Sequence, residues 1–245
     1  MKKILFIVTI LTLTIALSGC DYISTLIPSD ADAFQTAMLE SRDQIRNSSV
    51  RVETITYRGG LIGGVASESQ GSGVIYDEDE TYYYAITNFH VIDTNERENY
   101  EHFVYVFEHD ERLDAELIAY QENYDLAVVR FEKGDYSVTV IDITARLEQP
   151  LSRGEIVLAV GSPSRINMIV TFGEYQSMIN LDQVDFRVIF HTALIYSGSS
   201  GGALTDLSGN LVGINTWGSS DNNSGGLAIP IDKVMEFLIE HDLWT

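Results

Sequence analysis

The amino-acid sequence predicts an all-β protein of two antiparallel β-barrels in tandem, followed by a C-terminal helix. Three observations carry that expectation. Short runs of alternating apolar and polar residues succeed one another from Val50 onward. Glycine pairs and charged clusters punctuate those runs as turns. Helical spacing is confined to the two ends, and many short strands with frequent glycine turns are the pattern of barrels. At 245 residues and 45% apolar composition the chain can bury a substantial core, in one two-lobed unit or in two small domains.

Residues 1–19 begin Met1-Lys2-Lys3, continue as an apolar run and end in Ser18-Gly19. A basic start, a short apolar middle and small residues mark a secretory signal, and the run is too short to favour a permanent span. Leu17-Ser18-Gly19-Cys20 resembles the bacterial lipoprotein box. That resemblance implies cleavage before Cys20, lipidation there, and a membrane anchor facing the extracytoplasmic side, in a periplasm or at a cell surface. Cys20 is the sole cysteine, so no disulfide within the chain is expected and packing must hold the fold. Residues 20–49 read as the lipidated tether, with a helix over 30–46 whose Ala33, Phe34, Ala37, Met38 and Ile45 share one face. A purely disordered tether is the competing expectation.

The folded body is expected over residues 50–245, with the first barrel at about 50–149 and the second at about 150–245. Residues 50–55 alternate, and Gly59-Gly60 and Gly63-Gly64 mark loops. Residues 71–76 and 82–87 read as a hairpin around an acidic turn, and 103–107 with 113–119 as a second around a charged one. Asp125 then heads the strand 126–129, and residues 150–154 look like the crossing between lobes. The second lobe opens with residues 155–163, and the strands expected after it are 168–174, 175–181, 187–190, 203–204, 211–216 and 225–229. Pro230 opens the last helix at a position it favours, with Val234, Phe237 and Leu238 on one face.

Fifteen basic residues stand against 36 acidic ones, a net charge of −21. That excess repels phosphate backbones, so no nucleic-acid partner is expected, and it disfavours strongly acidic substrates. It also repels anionic lipid, so attachment to a membrane would rest on the lipid anchor. The acid-rich stretches 77–80 and 93–101 lack regular ligand spacing and read as solvated loops; no metal or cofactor is expected. His102, His109 and His241 stand among charges and are expected at the surface, and His191 is read as structural.

The chemistry concentrates in Ser197-Gly198-Ser199-Ser200-Gly201-Gly202, a glycine turn entered from an apolar segment. Glycines there permit unusual backbone angles and leave N–H groups uncovered. A serine hydroxyl is a poor nucleophile near neutral pH and needs a base within hydrogen-bond reach. Histidine suits that role, and a carboxylate selects its tautomer and steadies the imidazolium. His90 at a strand end, Asp125 at a strand start and Ser200 in the turn supply the three groups in that order.

Thr87-Asn88-Phe89-His90-Val91, Asp125-Leu126-Ala127-Val128 and Gly198-Ser199-Ser200-Gly201-Gly202 are similar to the signature blocks of chymotrypsin-fold serine proteases, and most closely to the bacterial HtrA (Deg) branch. Gly71-Ser72-Gly73-Val74-Ile75, Ala159-Val160-Gly161-Ser162-Pro163, Val212-Gly213-Ile214-Asn215-Thr216 and Gly226-Leu227-Ala228-Ile229-Pro230 match that branch in order. The resemblance implies Ser200 as nucleophile, His90 as base and then acid, Asp125 as orienting carboxylate, and the N–H groups of Gly198 and Ser200 as the oxyanion hole. It implies that Thr216, Trp217 and Gly218 pair with the substrate backbone. It places Leu194 on the pocket floor, where an apolar surface suits small or medium aliphatic residues at the cut.

The family's Asn-Pro-Gly-Asn before the serine is here Tyr196-Ser197-Gly198-Ser199, and its small residue before the histidine is Phe89. Ser199 replaces the aspartate that would receive a freed amine, so no such zymogen step is expected. Residues 217–223 are expected to be a mobile loop. No PDZ domain is expected before Thr245, and monomer and trimer both stay open. The implied protein is a membrane-anchored serine endopeptidase for unfolded or extended polypeptides, working by an acyl-enzyme in envelope quality control. Its rival is a proteolytically silent peptide-binding or adhesive lipoprotein.

Overall fold

The computed structural model describes residues 29–59, 63–95, 97–107, 112–164, 167–218 and 225–244. The signal, lipidation and tether expectations for residues 1–28 lie outside these, as do residues 219–223 of the expected mobile loop. The chain divides into two units, Met1–Glu40 and Ser41–Thr245. In the first, the described residues are the helical stretch that starts at Ser29, the beginning of α1 (Ser29–Asn47). In the second, the end of α1 buries Ile45 completely and sets the Arg46 guanidinium over the Phe107 ring at 4.1 Å.

The first barrel comprises β1 (Ser49–Tyr57), β2 (Val65–Glu78), β3 (Tyr82–Thr87), β4 (Tyr100–Val106), β5 (Leu113–Gln121) and β6 (Leu126–Glu132), closed in the order β1-β2-β3-β6-β5-β4. A short helix, α2 (Phe89–Ile92), follows β3. The second comprises β7 (Ile156–Ser164), β8 (Asn167–Asn180), β9 (Arg187–His191), β10 (Ala203–Asp206), β11 (Leu211–Gly218) and β12 (Gly226–Pro230), closed as β10-β11-β12-β9-β8-β7. Helix α3 (Ile231–Glu240) ends the chain's regular structure, with Val234, Phe237 and Leu238 fully buried. Closure removes the unpaired edges of both sheets.

Period-two alternation explains how each strand serves two cores. Val50, Val52, Ile75, Ala85, Val104 and Val129 fill the first barrel. Their sequence neighbours Val74, Ile86 and Val128 point the other way and join Leu158, Val160, Val188, Ile214 and Phe237 in the largest cluster, shared by both barrels and α3. Val157, Ala159, Leu204, Val212 and Ala228 fill the second barrel.

Two expectations change. Residues 168–174 and 175–181 are one strand, not two, because β8 pairs with β7 through Asn167–Glu174 and then with β9 through Tyr175–Asn180. The bend passes Gly173, where a Cβ would collide with the backbone at Ala193. His102 is 5% exposed rather than on the surface. It lies opposite Thr54 on the inward face of β4, where its Nδ1 meets the Thr54 hydroxyl at 2.9 Å. Its charged sequence neighbours do not reveal that parity.

Candidate active site

His90 stands on α2, the single helical turn that interrupts the chain after β3. Asn88, fully buried just before it, donates its Nδ2 to the carbonyl of Asp125 at 2.9 Å and so ties that turn to the start of β6. Asp125 follows a 3-10 turn, Glu122–Tyr124, and has left-handed backbone angles, φ 53 and ψ 40. Such a conformation is unfavourable for a residue with a Cβ, and it is held here by its N–H to Glu122 O and by the Asn88 bond. The result aims the carboxylate at His90.

Asp125 is 7% exposed and its oxygens are saturated with donors. Oδ1 accepts the backbone N–H of His90 at 3.0 Å, and Oδ2 accepts the imidazole Nδ1 at 2.8 Å and the Thr216 hydroxyl at 2.7 Å. When Nδ1 donates its N–H to the carboxylate, the ring presents Nε2 as the acceptor. The His90 side chain remains 44% exposed, so that nitrogen is open to a reacting proton.

Ser200 sits in the turn between β9 and β10, and its hydroxyl donates to the carbonyl of Thr216 at 2.9 Å. Thr216 therefore holds the nucleophile through its backbone and the carboxylate through its side chain. Its place explains this double contact: the β11–β12 register slips between Asn215 and Trp217, and the resulting bulge frees Thr216 from the ladder. The hydroxyl points at that carbonyl rather than at the imidazole, so base abstraction requires a rotation of the serine side chain; catalytic hydrogen bonds often tighten only with substrate bound.

The backbone around Ser200 is pinned on every side. Ser199 N–H donates to Tyr196 O at 2.9 Å, which closes a tight turn with Gly198 at φ +94, an angle that favours glycine. Gly201 N–H goes to Asn215 O and Gly202 N–H to Ser199 O. Among the described residues, the N–H groups of Gly198 and Ser200 have no acceptor. They are the donors that the family resemblance implies for a developing oxyanion. Of the altered residues before Ser200, Ser199 is buried against Gly161, where a Cβ would strike it, while Tyr196 and Ser197 are exposed.

Leu194 is 38% exposed, and its carbonyl accepts the Thr171 hydroxyl at 2.7 Å. The side chain facing Gly226 is that of Ile195, so close that a Cβ on Gly226 would collide with it. This segment is irregular, and no period marks its inner face. Trp217 and Gly218 lie on β11 beyond the reach of β10, which pairs only as far as Ile214, so among the described residues one edge of that stretch has no strand partner. A cleft of about 370 Å³ beside His90 is lined by Phe89, Glu122, Asp125, Val184 and Trp217. Among the described residues no group of three or more His, Cys, Asp or Glu is placed to hold a metal, and no helix is long and apolar enough to cross a membrane.

Comparisons with known proteins point the same way as the geometry. The family model for the trypsin-like peptidase domain matches residues 71–214. Serine protease HTRA1 of Xenopus laevis is 33% identical over 179 residues, which are 70% of this chain and 36% of that protein. A probable periplasmic serine endoprotease, DegP-like, of Hahella chejuensis is 35% identical over 181 residues, 70% of this chain and 35% of its own length. The chain thus spans about a third of the length of the curated relatives it matches. The crystal structure of a serine endoprotease from Yersinia pestis superposes with a TM-score of 0.64 at 27% identity, over 83% of this chain and 66% of that one.

Proposed function

The chain belongs to the trypsin-like serine peptidases of the HtrA type, and on that premise we propose that it is a serine endopeptidase acting on extended or unfolded polypeptides. The observation that carries the reading is the buried Asp125 carboxylate on His90 Nδ1, joined to Ser200 through the single residue Thr216. A substrate strand lies along the edge of Trp217 and Gly218 and reaches Thr216 as the serine hydroxyl turns away from its carbonyl, with the cut carbonyl over the amides of Gly198 and Ser200. Ser200 Oγ attacks that carbonyl carbon while its proton passes to His90 Nε2, and the oxyanion is met by the two N–H groups. Collapse expels the amine with the proton from Nε2, and a water repeats the sequence to release the acyl group.

The resemblance that puts Leu194 on the pocket floor supports cleavage after small or medium aliphatic residues, since an apolar floor offers no partner to a charge, and Ile195 beside it, packed against Gly226, is equally apolar. Lipid anchoring at Cys20 outside the cytoplasmic membrane, with a part in envelope protein quality control, belongs to the same proposal and rests on Leu17-Ser18-Gly19-Cys20. Incorporation of labelled palmitate by the wild type and not by Cys20→Ala tests the anchor.

The Ser200 hydroxyl bonded to Thr216 O favours a second reading, a silent peptide binder on the same scaffold. Fluorophosphonate labelling of the purified protein separates the two. Label on the wild type and none on Ser200→Ala supports the enzyme. Peptide binding with no label on either supports the binder.

A further inference from the structure

We propose that Ser72 is a positioning residue for the oxyanion hole, an inference that rests on the peptidase reading above. Ser72 belongs to β2 of the first barrel, yet most of its hydrogen bonds reach the second. It is fully buried. Its hydroxyl donates to Gly198 O at 2.7 Å and accepts the N–H of Ser162, on β7, at 2.9 Å. Its own N–H donates to Ser200 O at 2.7 Å. Its carbonyl accepts the Thr87 hydroxyl at 2.7 Å, at the end of the strand that delivers Asn88 and His90.

One residue thus grips the carbonyls of both residues whose amides would stabilise the oxyanion. The need for such a grip follows from Gly198. Glycine adopts positive and negative φ about equally well, so nothing intrinsic to the Ser197-Gly198 peptide keeps its N–H turned toward the cleft. A turn held at φ +94 keeps that setting only through its neighbours. The Ser199 N–H bond to Tyr196 O closes the turn from within, and Ser72 anchors it from outside, on the far barrel.

The contact works only at close range. A Cβ at Gly71 would collide with Val91 and press on Ser200 O, and one at Gly201 would strike Ser72 O. The two glycines therefore let β2 and the serine turn come together, and the Ser72 hydroxyl turns that proximity into a fixed orientation. Removing it takes the donor from Gly198 O and the acceptor Oγ from Ser162 N–H, and the turn loses its anchor on the first barrel. Ser72 touches no reacting atom; it acts through Gly198 and Ser200.

The test is Ser72→Ala, with rates expressed per active site titrated by fluorophosphonate so that any misfolded fraction drops out. Three readouts are compared: kcat and KM on a peptide substrate, inhibition by a peptide aldehyde, and peptide binding in a Ser200→Ala background. The aldehyde forms a tetrahedral adduct that needs the oxyanion hole, whereas binding to Ser200→Ala does not. We expect kcat to fall about 10- to 100-fold, somewhat less than outright loss of a donor, with aldehyde affinity falling in parallel. KM and binding to Ser200→Ala should stay within about twofold, because substrate and its ground-state contacts are unchanged.

Ser72→Cys, which keeps a weak donor, should lie between the two and serves as the reference if the alanine variant does not fold. A kcat per titrated site and an aldehyde affinity equal to wild type in the folded variant overturn the proposal, as does a uniform loss across all three readouts. A wild type that binds peptide but takes no label removes the peptidase reading and this proposal with it. Normal catalysis by a folded Ser72 variant removes this proposal alone.

Discussion

Lowering the pH from 7.5 to 5 should destabilise the fold through His102 and His191. Both are buried, and burial pushes each imidazole down to about 4 from an ordinary value near 6.5; for His191 the nearby Ala193 backbone and Asn215 side chain oppose part of that shift. The folded state then keeps these rings neutral where the unfolded chain protonates them. Stability is therefore complete above pH 6.5 and is lost as the pH falls through the window from 6.5 to 4. Each histidine contributes a slope of about 1.4 kcal/mol per pH unit inside the window, so by pH 5 each has removed about 2 kcal/mol and the pair about 4. That is a large part of the roughly 5–15 kcal/mol that keeps a domain folded. The assay is urea unfolding of the Ser200→Ala protein, which cannot digest itself, at intervals between pH 8 and 4.5, beside the same chain carrying His102→Asn. The variant should start less stable, having lost the packing against Tyr100 and the bond to Thr54, but its pH slope should be shallower by one proton. A wild type that loses under about 1 kcal/mol across this range, or a variant with an unchanged slope, would refute the reasoning.

Four further outcomes follow from the site. Thr216→Val keeps the backbone carbonyl but strips one of the donors on buried Asp125; a hydrogen bond to a charged group contributes about 1.5–3 kcal/mol, so kcat/KM should fall about 10- to 100-fold, and a change under about threefold would contradict this assignment. Ile195→Ala opens the space over Gly226 and should shift preference at the cut from Ala and Val toward Leu and Phe by roughly tenfold, read from a peptide library; an unchanged profile would remove Ile195 from the pocket. Gly201→Ala places a Cβ against Ser72 O and Thr87 Oγ1 at φ +86 and should cost more than about 3 kcal/mol in urea unfolding. Gly218→Ala, where a Cβ meets nothing within 4 Å, should be close to neutral.

What the sequence by itself determined is local. Period-two runs and glycine turns specify strands and the two faces of each, and the residues around His90, Asp125 and Ser200 carry the chemistry in their own neighbourhoods. Many short strands, frequent glycine turns and helix confined to the ends led to the double barrel, and the paired cores lie on both faces of the strands at Val74-Ile75 and Val128-Val129. Tertiary structure alone decided the rest. Parity does not say which strand end lies inside a barrel, so His102 was misplaced until its register opposite Thr54 was known. A bulge resets parity, so the two contacts of Thr216 follow from pairing with β12 and not from the order of residues. The segment before Ser200 has no period, which is why Ile195 rather than Leu194 meets Gly226. Ser72 reaches Gly198 across 126 residues of chain, a contact that exists only because two closed barrels press together, and no local pattern records what lies on the other side of that contact.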